Sequence, residues 1–369
     1  MKRIIRVFLA AILLTACNET KQETITTTDW TNTVVYEMNV RQYTPEGTFA
    51  AAQRELPRLK ELGIDVVWLM PIYPIGVEGR KGTLGSYYAI KDYTDINPEF
   101  GTLADFDNFL AEAHRLGLKV IIDWVANHTS PDARWVTESP ASWYERNDKG
   151  ELTYTADWSD TANLNYADEG MVKGMQEAMH FWLQRGVDGF RCDTAKHVEM
   201  DSWVKLKNKC VAALKKWRQN NPSAEGANWD EDFWMTGEHW GHGLGKDGYF
   251  TSGAFDSMIN FSITGSVSSN PGGLGGPETM EGMYSKYAAD INSDPNYNML
   301  TYLSSHDTGL VRQNLYWQGT AFQLLPGGIQ IFYGYNAQLH SVLNPGNKVR
   351  VVGVVGEHYG TYQIMDLKY

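Results

Sequence analysis

Eight short runs rich in Val, Ile and aromatic residues alternate with longer stretches of helical periodicity, and this alternation narrows the fold more than any other feature. The runs are Val34–Val40, Val66–Met70, Val120–Trp124, Val187–Cys192, Phe233–Gly237, Phe255–Asn260, Leu300–Leu303 and Ile329–Tyr333. Between them, amphipathic stretches such as Phe49–Leu62, Leu103–Leu116, Gly170–Gln184 and Met200–Gln219 predict helices. Strands alternating with helices predict an α/β fold with a parallel sheet. Eight such units in 369 residues fit a (β/α)8 TIM barrel, with a doubly wound sheet as the runner-up.

In a barrel, functional groups sit at the C-terminal ends of the strands. Asp123, Asp193, Glu238 and Asp307 all fall at or just after such ends. Residues two apart on a strand share a face, so Arg191 and Asp193 lie together while Phe190 and Cys192 point into the opposite packing layer. Such an arginine is expected to keep Asp193 ionised at neutral pH.

Four segments occur in a fixed order: Asp123-Trp124-Val125-Ala126-Asn127-His128, Phe190-Arg191-Cys192-Asp193-Thr194-Ala195-Lys196-His197, Gly237-Glu238-His239-Trp240 and Leu303-Ser304-Ser305-His306-Asp307. In order and content they resemble the four short regions of the α-amylase family of glycoside hydrolases, retaining enzymes built on a (β/α)8 barrel. The resemblance runs from about Val34 to about Gly334. It implies that Asp193 is the nucleophile, Glu238 the acid/base and Asp307 the third carboxylate, which binds sugar hydroxyls. It likewise implies substrate contacts for Asp123, His128, Arg191 and His306. Retaining glycosidases hold the two reacting carboxyls about 5 to 5.5 Å apart, one ionised and one protonated. Apolar surroundings from Trp234 and Trp240 are expected to keep Glu238 protonated.

Further positions carry the resemblance. Gly85-Ser86-Tyr87-Tyr88-Ala89-Ile90-Lys91-Asp92-Tyr93 resembles the segment whose tyrosine stacks on the sugar at the cleavage point, and Tyr88 aligns with it. Lys196-His197 resembles the pair that contacts the leaving-group side in α-amylases. Asn127 and the backbone of His197 match positions that hold calcium in many members, and oxygen ligands suit that cation. The acidic ligand of that site would fall where this chain has Asn163, so the calcium site is weakened or absent. Ser305 stands where the family often has asparagine.

Two long loops, Pro71–Thr102 and Thr129–Ala167, follow the second and third strands. In the family the second of these forms a small inserted lobe, and its Trp135, Trp143, Tyr144, Tyr154 and Trp158 are expected to wall a sugar cleft. The resulting division is a barrel first part over 29–128, the lobe over 129–167, a barrel second part over 168–334 and an atypical tail over 335–369. The family's usual C-terminal β-sandwich is not expected in that tail.

The N-terminus, with Lys2, Arg3 and Arg6 before an apolar stretch, reads as a secretory signal over 1–16. Leu14-Thr15-Ala16-Cys17 resembles the bacterial lipobox, which implies acylation of Cys17, a polar tether over 17–28, and anchoring in the cell envelope without a spanning helix. The formal charge is −12, which argues against nucleic acid as a partner. Cys192 and Cys210, one on a strand and one on a helix, read as buried thiols outside any disulfide framework. The expected substrate is an α-1,4-glucan such as starch, glycogen or maltodextrin. Cyclomaltodextrinase, neopullulanase and transglycosylase activities are alternatives within the class, and a non-catalytic glycan-binding protein is the alternative outside it.

Overall fold

The computed structural model describes residues 33–229, 233–240, 248–261, 298–300, 302, 305–307 and the strand segments 330–331, 354–358 and 361–365. The signal, Cys17 and the tether lie outside the described residues. Elements run β1 (Val35–Met38), α1 (Val40–Tyr43), α2 (Phe49–Gln53), α3 (Leu56–Glu61), β2 (Val66–Leu69), α4 (Leu103–Arg115) and β3 (Lys119–Trp124). The inserted lobe follows with β4 (His128–Thr129), α5 (Arg134–Glu138) and β5 (Ala162–Asn163). Next come α6 (Glu169–Leu183), β6 (Gly189–Cys192), α7 (Met200–Asn220), β7 (Trp234–Gly237), β8 (Ser257–Ile259), β9 (Met299–Leu300), β10 (Gln330–Ile331), β11 (Val354–His358) and β12 (Thr361–Met365).

Seven strands pair in the order β1-β2-β3-β6-β7-β8-β9, each parallel to the next. An open doubly wound sheet reverses its strand order at a switch point. This order never reverses, which removes the runner-up. Laid flat, seven strands spaced about 4.8 Å apart would put the outer two about 29 Å apart. Yet His306, just beyond β9, lies 2.6 Å from Glu37 on β1 through its Nδ1. The sheet therefore curls, bringing the segment beyond β9 back to β1.

The eighth predicted run does form a strand, but β10 pairs with β12 of the tail in a separate three-stranded sheet. There β11 and β12 make an antiparallel pair. The stretch Phe49–Leu62, expected as one helix, breaks into α2 and α3 because Pro57 in the first turn of α3 has no N–H to continue a helix from α2. The other three predicted helices stand within about one residue of expectation. A capping box between Thr102 and Asp105 starts α4, and the Asp168 side chain caps α6.

The curled sheet divides its side chains between two cores. Outward-facing Val67, Val120, Ile122, Phe190, Cys192 and Met235 pack beneath the helices, while inward-facing Val66, Trp68, Ile121, Trp234, Ile259 and Phe261 fill the barrel. Gly189 makes room for this filling, since a Cβ there would lie 2.0 Å from the Trp234 carbonyl oxygen. Cys192 and Cys210 are buried free thiols, as expected. Among the described residues no helix is long and apolar enough to cross a membrane.

Candidate active site

Above the apolar filling, the inward positions turn ionic. Asp123 on β3 and Arg191 on β6 are register partners. Arg191 Nη1 donates to Asp123 Oδ1 at 2.8 Å and to Asp193 Oδ1 at 2.9 Å, and Nη2 lies 3.4 Å from Glu238 Oε2. Its guanidinium also lies 5.1 Å from the centroid of Trp68. One fully buried arginine thus holds three buried carboxyls from three neighbouring strand ends.

Thr194 ties the same groups from the other side. Its N–H donates to Glu238 Oε2 at 2.7 Å, and its hydroxyl donates to Asp193 Oδ2 at 3.2 Å. To do so it adopts φ +44° and ψ +44°, a left-handed conformation that is costly for a β-branched residue. Gly237 matters just before Glu238, because a Cβ there would meet Met258 Sδ at 2.7 Å and Phe255 at 2.9 Å.

Burial dominates the electrostatics. It lifts Asp193 to about 6, with Arg191 pulling the other way, in the direction expected of that arginine. The group still ionises below neutrality. Glu238 rises further, to about 7, through burial first, opposed by Arg191 and then reinforced by the charges of Asp193 and Asp307. Of the tryptophans expected near it, Trp240 packs on Phe261 at 4.9 Å and Trp234 lies in the barrel filling. Burial also lifts Asp123 to about 6.

The two motif histidines carry opposite charge. Burial drops His128 to about 4, so it is neutral, and Asn127 Nδ2 donates to its Nδ1 at 3.1 Å, leaving the ring proton on Nε2. His306 rises to about 10, because Asp307 and Glu37 outweigh the desolvation that opposes its charge. Its Nε2 lies 3.3 Å from Asp307 Oδ2 and 2.7 Å from the Tyr88 hydroxyl, and Tyr88 stacks on the imidazole at 5.6 Å. The Asp307 backbone N–H donates to Ser305 Oγ at 3.2 Å. Asp123, Arg191, Asp193, Glu238, Tyr88, His306 and Asp307 therefore form one network.

Lys196 and His197 lie on an exposed turn, Ala195–His197, just after Asp193. Trp158 bridges the two sides of the site, 5.5 Å from His128 and 5.9 Å from His197. Of the five lobe aromatics expected to wall a cleft, it is the one in contact with site residues. Trp135 packs on Tyr93, Trp143 covers Gly174, Tyr144 is buried and bonded to Thr129, and Tyr154 stands exposed. Trp135, Trp143 and Tyr144 serve packing, because a short antiparallel insertion has to bury its larger side chains against the barrel.

At two of the three positions matched to calcium, Asn127 and Asn163, the side-chain amides are hydrogen-bonded to protein neighbours. Asn163 Oδ1 accepts from Thr155 at 3.1 Å and its Nδ2 donates to Glu145 at 3.2 Å, while Asn127 turns its Nδ2 toward His128 and Thr155. These amides are satisfied by each other's neighbours. Calcium asks for six to eight oxygens with carboxylates among them. Among the described residues no cluster of three or more His, Cys, Asp or Glu could hold a metal.

Glu37 was not singled out by sequence, although a lone acid inside the run Val34-Val35-Tyr36-Glu37-Met38 was a visible signal. It accepts from the His306 backbone N–H at 3.1 Å as well as lying against Nδ1.

The profile of the alpha-amylase catalytic domain matches residues 18–159 and 139–318. The chain belongs to the alpha-amylase family. That family's catalytic domain is a (β/α)8 barrel, and the curled seven-stranded sheet is its frame here. The periplasmic alpha-amylase of Escherichia coli is 28% identical over 78% of this chain and 54% of its own length. Alpha-amylase 3 of Dictyoglomus thermophilum is 27% identical over 82% of this chain and 63% of its own. Among solved structures, an alpha-amylase from Lactobacillus plantarum is 35% identical with a TM-score of 0.62, covering 75% of this chain and 63% of that one. The chain thus spans between about half and two thirds of the length of each of these three proteins.

Proposed function

We propose that this family member is a retaining glycoside hydrolase that cleaves α-1,4-glucosidic bonds within starch, glycogen or maltodextrins. One observation carries the reading. Asp193 and Glu238, at the ends of adjacent strands, are held by the same arginine and the same threonine, and burial raises both carboxyls above their ordinary range, Glu238 the further. One is ionised and the other protonated where their ranges meet, which is the division of labour that retention requires.

In this mechanism Glu238 protonates the glycosidic oxygen as Asp193 attacks the anomeric carbon, and the leaving sugar departs. Glu238, now ionised, deprotonates a water that displaces Asp193 with a second inversion. Asp307, with the cationic His306 beside it, hydrogen-bonds sugar hydroxyls, and neutral His128 offers its Nε2 proton. Tyr88 provides a ring platform, while Lys196, His197 and Trp158 line the leaving-group side. Asp123 keeps Arg191 aligned. The lobe's amide network supports a fold that does not draw on calcium. The resemblance to a lipobox supports export and anchoring through Cys17, and the match to a periplasmic relative is consistent with export.

The test is reducing-sugar release from soluble starch by the mature chain, beside Asp193→Asn and with cellulose as control. Starch-specific release abolished by the substitution supports the proposal. A cooperatively folded chain with no release would favour a glycan-binding protein.

A further inference from the structure

The hydrogen bonds around the site have a direction, and their starting point is Glu37. The Tyr88 hydroxyl carries one proton and touches two groups, His306 Nε2 at 2.7 Å and Asp123 Oδ2 at 3.3 Å. If Nε2 bears a proton, the hydroxyl accepts from it and donates to Asp123. If Nε2 is bare, the hydroxyl must donate to the imidazole instead, and Asp123 loses that bond. Asp123 in turn aligns Arg191, which holds Asp193.

Which case holds depends on the groups facing His306. Glu37 on β1 grips it twice, at Nδ1 and at the backbone N–H, from a side chain that is 8% exposed. Asp307 lies 3.3 Å from Nε2, and Trp68 is edge-on at 6.0 Å. The cation Arg191 opposes a charge on the ring, while Tyr88 stays a neutral hydroxyl because burial pushes its ionisation well up. A single proton on Nδ1 would satisfy Glu37 but leave Nε2 bare beside Asp307, two acceptors facing each other.

We propose that Glu37 is a positioning residue that holds His306 doubly protonated, and so directs the chain His306 to Tyr88 to Asp123 that, with Arg191, orients Asp193. The same bonds tie the segment beyond β9 to β1, so a purely structural role is the alternative. The kinetic part of the test rests on the glycosidase reading, whereas the spectroscopic part does not.

The experiment follows His306 by 15N NMR in the full-length protein, assigned with His306→Gln. Both ring nitrogens are expected to stay protonated from pH 5 to 8.5 in the unsubstituted chain. In Glu37→Gln, the ring is expected to lose a proton within that range. With maltodextrin as substrate, KM of Glu37→Gln is then expected to rise about tenfold between pH 6 and pH 8.5, the size of one lost charge-assisted bond, while the parent KM stays flat. Glu37→Asp is expected to restore the flat profile. A neutral His306 at pH 8 in the unsubstituted chain overturns the proposal even if Glu37→Gln fails to fold. So does a Glu37→Gln enzyme whose KM and ring ionisation run parallel to the parent at every pH, which would mark Glu37 as structural only.

Discussion

Replacing Arg191 by Met keeps most of the volume and removes the cation shared by three carboxyls. Asp123, Asp193 and Glu238 titrate higher in the folded chain than as free carboxyls, at about 6, 6 and 7. Their ionisation therefore opposes folding. The cost is absent below about pH 4, grows as pH rises through the folded values, and is full above about 7. Arg191 offsets it wherever the carboxyls are charged. Removing one member of a buried ion pair costs about 3–5 kcal/mol, and that is the expected loss for Arg191→Met at pH 8. At pH 5 the three carboxyls of the variant are protonated, so the loss should shrink to about 1–2 kcal/mol, the share of hydrogen bonds and packing. Losing one charge-assisted bond of about 1.5–3 kcal/mol also raises Asp193 by about 1–2 pH units. Its ionised fraction at pH 7 then falls from about nine tenths to between a half and a tenth, and the activity optimum moves up by a similar interval. Urea unfolding followed by tryptophan fluorescence at pH 5 and 8, with kcat/KM against pH, reads both effects. Equal destabilisation at the two pH values together with an unmoved optimum would refute the reasoning.

Other expectations follow from the same geometry. The parent kcat/KM should trace a narrow bell whose limbs lie near 6 and 7, belonging to the Asp193–Glu238 pair, and a plateau extending to pH 9 would contradict it. Trp158→Ala should raise KM about 2- to 10-fold, from about 0.5–1.5 kcal/mol of lost ring contact, with little change in unfolding midpoint. A destabilisation matching that of a core tryptophan would mean that it serves packing. Chelation with EDTA should leave starch hydrolysis and the thermal midpoint unchanged, and a drop restored by calcium would show that the lobe amides ligate it after all.

Much of this site was legible because strand-end acids mark a barrel's working face regardless of how the loops fold. Asp193, Glu238 and Asp307 are singled out by the resemblance of four ordered segments, with strand-end placement agreeing. What escaped was set by three-dimensional closure. Glu37 meets His306 across 269 positions of chain, and only the curl of the sheet joins them. Burial, which sequence reports poorly, raises Asp193 to about 6 despite the arginine beside it. The lobe aromatics misled because an aromatic residue that packs an insertion and one that lines a cleft look alike in sequence. The break before α3 was readable from Pro57, whereas the pairing of β10 with β12 follows from tail contacts that no local pattern encodes.

Retention through Asp193 is the central claim, and the anomeric form of the first product tests it most directly. Proton NMR during early hydrolysis of maltoheptaose should show the α-anomer accumulating before mutarotation, with Asp193→Asn releasing none. The β-anomer appearing first, or release undiminished by Asp193→Asn, would contradict the account.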